Sequence, residues 1–421
     1  MDDSFPQEHR NSIWIYASTI GELNAVEPFL LNLLRDMGSP RTVLLTDRPL
    51  YRESYRSKYP DAEIIVLGGD VAAILSRRSL PRLLLMAEIP CLLSDAPCRF
   101  PFAFAYALKR RGVPLCLVNG WLYHGSPSCR IDAIERWLLG RDYVRLFDLI
   151  TVQDEETRSV LITSGADHRR VFVTGNTKFD ALNVETWTLS QARSPRMLQS
   201  MMSGSRPSIV AGCVTNISEQ ELVLDSFKDL LQHVPQALLV IAPRHPEVSE
   251  RMVKLRALMR ERRLSYVFRT EVGDDVIREP VNCLVLDTIG ELRDFYAACT
   301  IAYVGLNHNV LEPIVYGKPV VVTPGWERTY PSYPVYKRLV SERVILEVEP
   351  AELKSTWRDL LGDPAVYAAH GREGHRTLES LKGATARNME LFREMGLSGA
   401  LNSTRKVQGN RGANCDEALW L

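Results

Sequence analysis

Short apolar runs rich in leucine and β-branched residues recur along the chain. Each is followed by a longer stretch whose apolar positions repeat at helical spacing. Ser12-Ile-Trp-Ile-Tyr-Ala17 reads as a first strand, and Glu22 to Asp36 reads as a helix stopped by Gly38. Further strands are expected at Arg41–Thr46, Glu63–Leu67, Arg82–Met86, Pro114–Asn119, Leu149–Val152 and Val171–Thr174. Strands that are apolar throughout and alternate with helices belong to a parallel sheet covered on both faces.

The pattern then breaks. Residues from about 183 to 207 carry no long apolar run and end in Ser203-Gly-Ser-Arg-Pro207. A second series follows at Ser208–Ala211, Ala237–Ala242, Tyr266–Phe268, Cys283–Leu286, Ile301–Val304 and Pro319–Thr323. The chain therefore reads as an α/β protein of two Rossmann-like domains, residues 1–185 and 208–396. A linker at 186–207 joins them, and a polar, loosely ordered tail follows at 397–421. Two such domains face each other across a cleft, with strand ends and helix starts on both sides. Unpaired helical N–H groups there make natural anion sites.

Composition narrows the partners. The 421 residues contain 51 Lys plus Arg and 51 Asp plus Glu, so no global basic field exists to hold a nucleic acid. Any anion must be met by a few placed groups. The eight cysteines never form a Cys-x-x-Cys pair, which argues against zinc ribbons and redox motifs. Cys116 and Cys283 lie in apolar runs where cysteine acts as a small core residue, as suits a reducing cytoplasm. The first residues lack the pattern of a signal peptide, and no window approaches the roughly 18 apolar residues of a membrane helix. A membrane-bound substrate would have to be met from the aqueous side.

The familiar catalytic motifs are missing: no Gly-x-x-x-x-Gly-Lys-Ser/Thr, no Gly-x-Gly-x-x-Gly after the first strand, no Gly-x-Ser-x-Gly and no His-Glu-x-x-His. What remains is a set of polar residues at strand ends. In Ala17-Ser-Thr-Ile-Gly-Glu-Leu23 a turn containing Gly21 leads to Glu22 at a helix start. That carboxylate can take a proton from an attacking hydroxyl, or merely complement the helix dipole for about 0.3 to 1 kcal/mol. Pro243-Arg-His-Pro-Glu247 presents Arg244 and His245 in a stiff turn, suited to a phosphate or to a surface salt bridge. Asp287-Thr-Ile-Gly-Glu-Leu292 offers a cap at Asp287 or Thr288 and free N–H groups around Gly290. Asn309 and Glu312 have the spacing of a capping box, and Glu312 alternatively suits the two hydroxyls of a ribose.

Taken together and in order, these segments carry a family resemblance. Ile15-Tyr-Ala-Ser-Thr-Ile-Gly-Glu-Leu-Asn-Ala, Val118-Asn-Gly-Trp-Leu, Val173-Thr-Gly-Asn-Thr-Lys-Phe-Asp180, Pro243-Arg-His-Pro-Glu247, Asp287-Thr-Ile-Gly-Glu-Leu292 and His308-Asn-Val-Leu-Glu-Pro313 resemble the bacterial 3-deoxy-D-manno-octulosonic acid (Kdo) transferases. The resemblance spans roughly residues 12 to 390. It implies a GT-B fold and inverting transfer of Kdo from CMP-Kdo to a lipid A precursor or related lipopolysaccharide acceptor, without a metal or other cofactor. By motif, Glu22 would be the general base and Arg244 would hold the CMP phosphate with His245 beside it. Ile289, Gly290, Glu291 and Leu292 would form the nucleotide-binding turn, with Asn309 and Glu312 around the ribose. Lys178 is a candidate for the Kdo carboxylate, and Gly21 and Glu88 are counted with the substrate-binding residues.

The chain also departs from the family pattern. It begins almost at the first strand, where family members usually carry a hydrophobic anchor. Gly305 runs straight through Leu306 and Asn307 to His308, shortening a Gly-rich segment, and Val310 replaces a proline. Cys213-Val-Thr215 stands where Ser-Thr-His is usual, and Ala87-Glu-Ile89 keeps only Glu88 of Glu-Thr-Glu. The expected location is the cytoplasm, with peripheral contact at the cytoplasmic face of the inner membrane. Arg77, Arg78, Lys109, Arg110 and Arg111 are either basic contacts for that surface or a solvated helix face. Two other readings stay open: a GT-B transferase using a UDP- or GDP-linked sugar, and a non-catalytic binder of sugar nucleotides.

Overall fold

The computed structural model describes residues 12–67, 80–89, 91, 100–121, 143–181, 188–203, 206–278, 280–328, 330 and 332–398. It contains two seven-stranded sheets whose strand pairs are all parallel. The first comprises β1 (Ser12–Tyr16), β2 (Arg41–Thr46), β3 (Glu63–Val66), β4 (Leu83–Ala87), β5 (Leu115–Val118), β6 (Leu149–Val152) and β7 (Val171–Val173). The second comprises β8 (Ser208–Val214), β9 (Leu238–Pro243), β10 (Tyr266–Phe268), β11 (Cys283–Val285), β12 (Ile301–Val304), β13 (Val320–Val322) and β14 (Leu346–Glu347).

The spatial orders are β3-β2-β1-β4-β5-β6-β7 and β10-β11-β9-β8-β12-β13-β14. The first sheet is built outward in both directions from β1; in the second, β11 is inserted between β9 and β10, and each sheet reverses winding beside its first strand, at β1/β4 and at β8/β12. Such a reversal leaves a crevice at the carboxyl ends of the two strands, because the flanking connections diverge to opposite faces. The uninterrupted apolar strands explain the burial on both sides. In β1, Trp14 and Tyr16 face one core cluster and Ile13 and Ile15 the other.

The first helix, Ile20–Asp36, starts two residues earlier than its apolar pattern predicts. Thr19 caps it by accepting from the Glu22 amide at 3.3 Å, and the Glu22 carboxylate accepts from the Ser18 amide at 2.9 Å. These two bonds satisfy otherwise orphaned donors at the helix start.

The last described helix, Ala384–Glu394, departs from the expected division of the chain. It lies within 208–396 in sequence, yet it packs on the N-terminal sheet, with Met389 and Phe392 in the same cluster as Ile13 and Phe29. The Phe29 and Phe392 ring centroids are 4.8 Å apart, edge to face. Asp180 accepts from the Gly383 and Thr385 amides at 2.6 and 2.5 Å, and Arg387 and Asn388 donate to Thr174. The chain thus crosses between the halves twice. Among the described residues no helix is long and apolar enough to cross a membrane.

Candidate active site

Glu22 follows β1 and Glu88 follows β4, so the N-terminal winding reversal carries two carboxylates. Both are buried. Lys178 reaches in from the segment after β7 and pairs with Glu88 at 2.8 Å. Glu88 has φ +51°, an uncommon backbone state for a residue with a side chain, and its own amide and carbonyl are tied to Val118 and Trp121. These backbone bonds and the Lys178 pair hold its carboxylate at the strand end. Burial first, and then the neighbouring Glu88 charge, push the Glu22 carboxyl up to about 8, opposed by the Ser18 amide and Lys178. A carboxyl tuned near neutrality is suited to accept a proton.

A network behind these groups holds them in place. Asn119 donates to Asn176 Oδ1 at 3.2 Å and to the Thr177 hydroxyl at 2.7 Å, and accepts from the Thr177 amide at 3.1 Å. Thr177 passes the connection to the first helix through the Ala25 carbonyl at 2.7 Å, and Asn176 accepts from the Lys178 amide at 2.9 Å. The motifs around Asn119 and Lys178 are therefore one structure that delivers the Lys178 side chain. Asp47, another buried acid at this edge, accepts from Ser18 and Tyr16 hydroxyls.

The C-terminal winding reversal is built differently. Thr215 follows β8 and His308 follows β12, and Thr215 Oγ1 meets His308 Nε2 at 3.1 Å. Burial, followed by the charges of Arg244 and His245, lowers the His308 ring to about 4, so it is neutral at physiological pH. Behind this pair lies Glu219, which accepts from the Thr215 and Leu306 amides at 2.9 Å each and from the Tyr303 hydroxyl at 3.2 Å. Sequence reasoning missed Glu219; its signal is the capping spacing Asn216-x-x-Glu219, and Asn216 does cap the helix that follows. Gly305 must be glycine, since a Cβ there would fall 2.4 Å from the Cys213 carbonyl oxygen.

The cleft between these edges holds a cavity of about 310 Å³. Gly21, Glu22, Glu88 and Lys178 line it from one side, and His308 and Asn309 from the other. Arg244, His245, Glu312 and the Ile289–Leu292 turn are not among its lining residues. Arg244 is half-buried, and His245, at φ +58°, is exposed and bonded to Glu247 at 3.0 Å. Asn309 donates to Glu312 at 3.3 Å and accepts from the Leu311 amide, but the short helix Leu311–Val315 is entered through Val310.

Three expectations need correction. The Glu291 carboxylate does not face a ligand space: it is buried and bonded to Arg269, Ser194 and Thr288. Asp287 caps no helix at its own turn, since it accepts from the Thr270 amide and hydroxyl instead. Lys109 is paired with Asp148, which removes one of the presumed free basic contacts, while Arg77 and Arg78 lie outside the described residues.

Two parallel α/β domains meeting at paired winding reversals, with the cavity between them, define a GT-B protein. Solved structures with this architecture include the UDP-GlcNAc 2-epimerase of Neisseria meningitidis bound to UDP-GlcNAc (TM-score 0.59, 15% identity, 91% of this chain and 100% of that one). Anabaena HepE in complex with UDP and glucose is similar in fold (TM-score 0.59, 12% identity, 92% and 100%). Residues 2–181 match the family described as 3-deoxy-D-manno-octulosonic-acid transferase (kdotransferase). The 3-deoxy-D-manno-octulosonic acid transferase of Haemophilus influenzae is 25% identical over 396 residues, 90% of this chain and 86% of its own. That of Aquifex aeolicus is 25% identical over 334 residues, 76% and 79%. Over most of its length the chain is thus similar, at low identity, to Kdo transferases.

Proposed function

We propose that this protein is an inverting glycosyltransferase that moves Kdo, or a related keto-sugar acid, from its CMP-linked donor to a lipid A precursor or related lipopolysaccharide acceptor. The observation that carries the chemistry is Glu22, a buried carboxyl raised to about 8 at the wall of the interdomain cavity. The acceptor hydroxyl attacks the anomeric carbon as its proton passes to Glu22; the bond from that carbon to the phosphate oxygen breaks, and CMP leaves with the electron pair. Arg244 offers a forked donor for the phosphate, with His245 beside it, while Asn309 and Glu312 suit the ribose. Lys178, held by Glu88, supplies the positive charge that a sugar carboxylate needs. Gly21 fits this reading, because a Cβ there meets nothing in the protein closer than Thr19 Oγ1 at 3.8 Å. The protein's own packing does not require glycine at this position, so the room it leaves serves the contents of the cleft.

A lipid-linked acceptor places the reaction at the cytoplasmic face of the inner membrane, with the N-terminal half toward the lipid. The test is incubation of the purified protein with CMP-Kdo and a lipid A precursor, followed by mass spectrometry of the product. A mass gain of one or more Kdo units is expected. Turnover of a UDP- or GDP-linked sugar with none of CMP-Kdo would replace the donor assignment, and nucleotide binding without any turnover would leave a binding protein.

A further inference from the structure

Arg193 belongs to none of the motifs above. It precedes Ser194, which is buried and bonded through its hydroxyl to both Glu291 and Arg269. That lock fixes where the Arg193 side chain leaves the linker. Its Nη1 donates to the Ile289 carbonyl at 3.1 Å. Among the described residues, and apart from its own chain neighbours, a Cβ built on Gly290 would have only Arg193 Nη2, at 3.9 Å, within 4 Å. The guanidinium therefore lies along the Ile289–Gly290 turn. Among the described residues no carboxylate pairs with Arg193, and its remaining N–H groups meet no acceptor. Beside it Ile289 is 71% exposed at the tip of the turn.

An exposed apolar side chain next to an unspent planar fork of donors suits a flat heterocycle: the first covers the ring, the second meets its polar edge. Arginine has donors and no acceptor, which limits the edge it can read. Cytosine presents N3 and O2 as adjacent acceptors. Uracil places an N3–H donor between its two carbonyls, so the same fork would face a donor.

We propose that Arg193 selects cytosine over uracil in the nucleotide donor, pairing with N3 and O2 while Ile289 covers the ring. This inference rests on the CMP-linked donor proposed above and assigns its base recognition to the interdomain linker. The left-handed turn at Gly290, φ +92°, shapes the backbone on which the guanidinium rests.

Titration calorimetry with CMP and UMP tests the assignment on the full chain, its Arg193→Ala variant and its Arg193→Lys variant. The wild type is expected to prefer CMP. Arg193→Ala should weaken CMP roughly 5- to 100-fold, the range for one bidentate base contact, and leave UMP little changed. Arg193→Lys keeps the charge without the fork and should also lose the preference. Equal losses for both nucleotides, or a CMP preference that survives in Arg193→Ala, overturns the role of Arg193 alone. A wild type without CMP preference removes the donor assignment itself, and this role with it.

Discussion

At the winding reversal of the N-terminal sheet two buried carboxyls sit together with a partly buried lysine. At the matching place in the C-terminal sheet a threonine meets a neutral histidine, while Arg244 and His245 stay half-buried or exposed. Both sheets are parallel and reverse winding beside their first strand, and they divide the physical work. Charge on buried, neighbouring carboxyls is strongly coupled, so small changes there move a proton equilibrium. Charge left at a wet edge is weakly coupled until a ligand covers it. The first arrangement suits a step in which a proton moves, the second suits capture of an anion.

Several substitutions would break or sharpen this division. Glu22→Gln should lower the transfer rate by roughly 10²- to 10⁴-fold, the usual loss for a general base, with CMP affinity unchanged. A rate close to wild type in single-turnover assays would end the assignment of chemistry to the N-terminal edge. Phe392→Ala should cost about 3 to 5 kcal/mol in a denaturant titration, because the N-terminal core includes the returning helix. Arg244→Ala should weaken CMP binding by about 1.5 to 3 kcal/mol, with much of the rate recovered at saturating donor. A loss confined to kcat would place Arg244 in the chemistry and blur the comparison.

The smallest expected effects are shifts with pH. Glu22 must be ionised to accept a proton, so the rate should climb with pH and level off above about 8. Glu88→Gln removes a repelling charge and should move that limb to lower pH; Lys178→Ala should move it higher. Stability runs the other way. The folded state holds the Glu22 proton more tightly than the unfolded chain, so this group's contribution is complete below about 4.5 and is lost as pH rises through about 8. Glu22→Gln should therefore melt higher than wild type at pH 8 and nearer to it at pH 5.

The fold was legible wherever local pattern decided it. Runs such as Leu149–Val152 and Tyr266–Phe268 became strands at the expected positions, because an apolar run bounded by polar turns has few other ways to be buried. β14, only Leu346–Glu347, is too short to leave a periodic signal. The strand ends that became the cleft were also visible, since a polar residue directly after a buried strand marks the sheet edge. Partners far away in sequence were not. Nothing near Glu291 shows that Arg269 and Ser194 will consume its carboxylate, and nothing near Ala384 shows that its helix will dock beside Phe29. Asp180 ends one of the segments that carry the family resemblance, and its carboxylate serves the amides of Gly383 and Thr385.

That returning helix has a mechanical consequence. A lobe tethered by one strand can swing, twist and slide; a second tether removes part of that freedom. The passage between β7 and β8 is one tether, and the step from Pro364–Leu381 to Ala384–Glu394, pinned by Asp180 and Thr174, is the other. Two such tethers restrict how the lobes can shift against each other, and with that the paths by which the edges bearing Glu22 and His308 can approach.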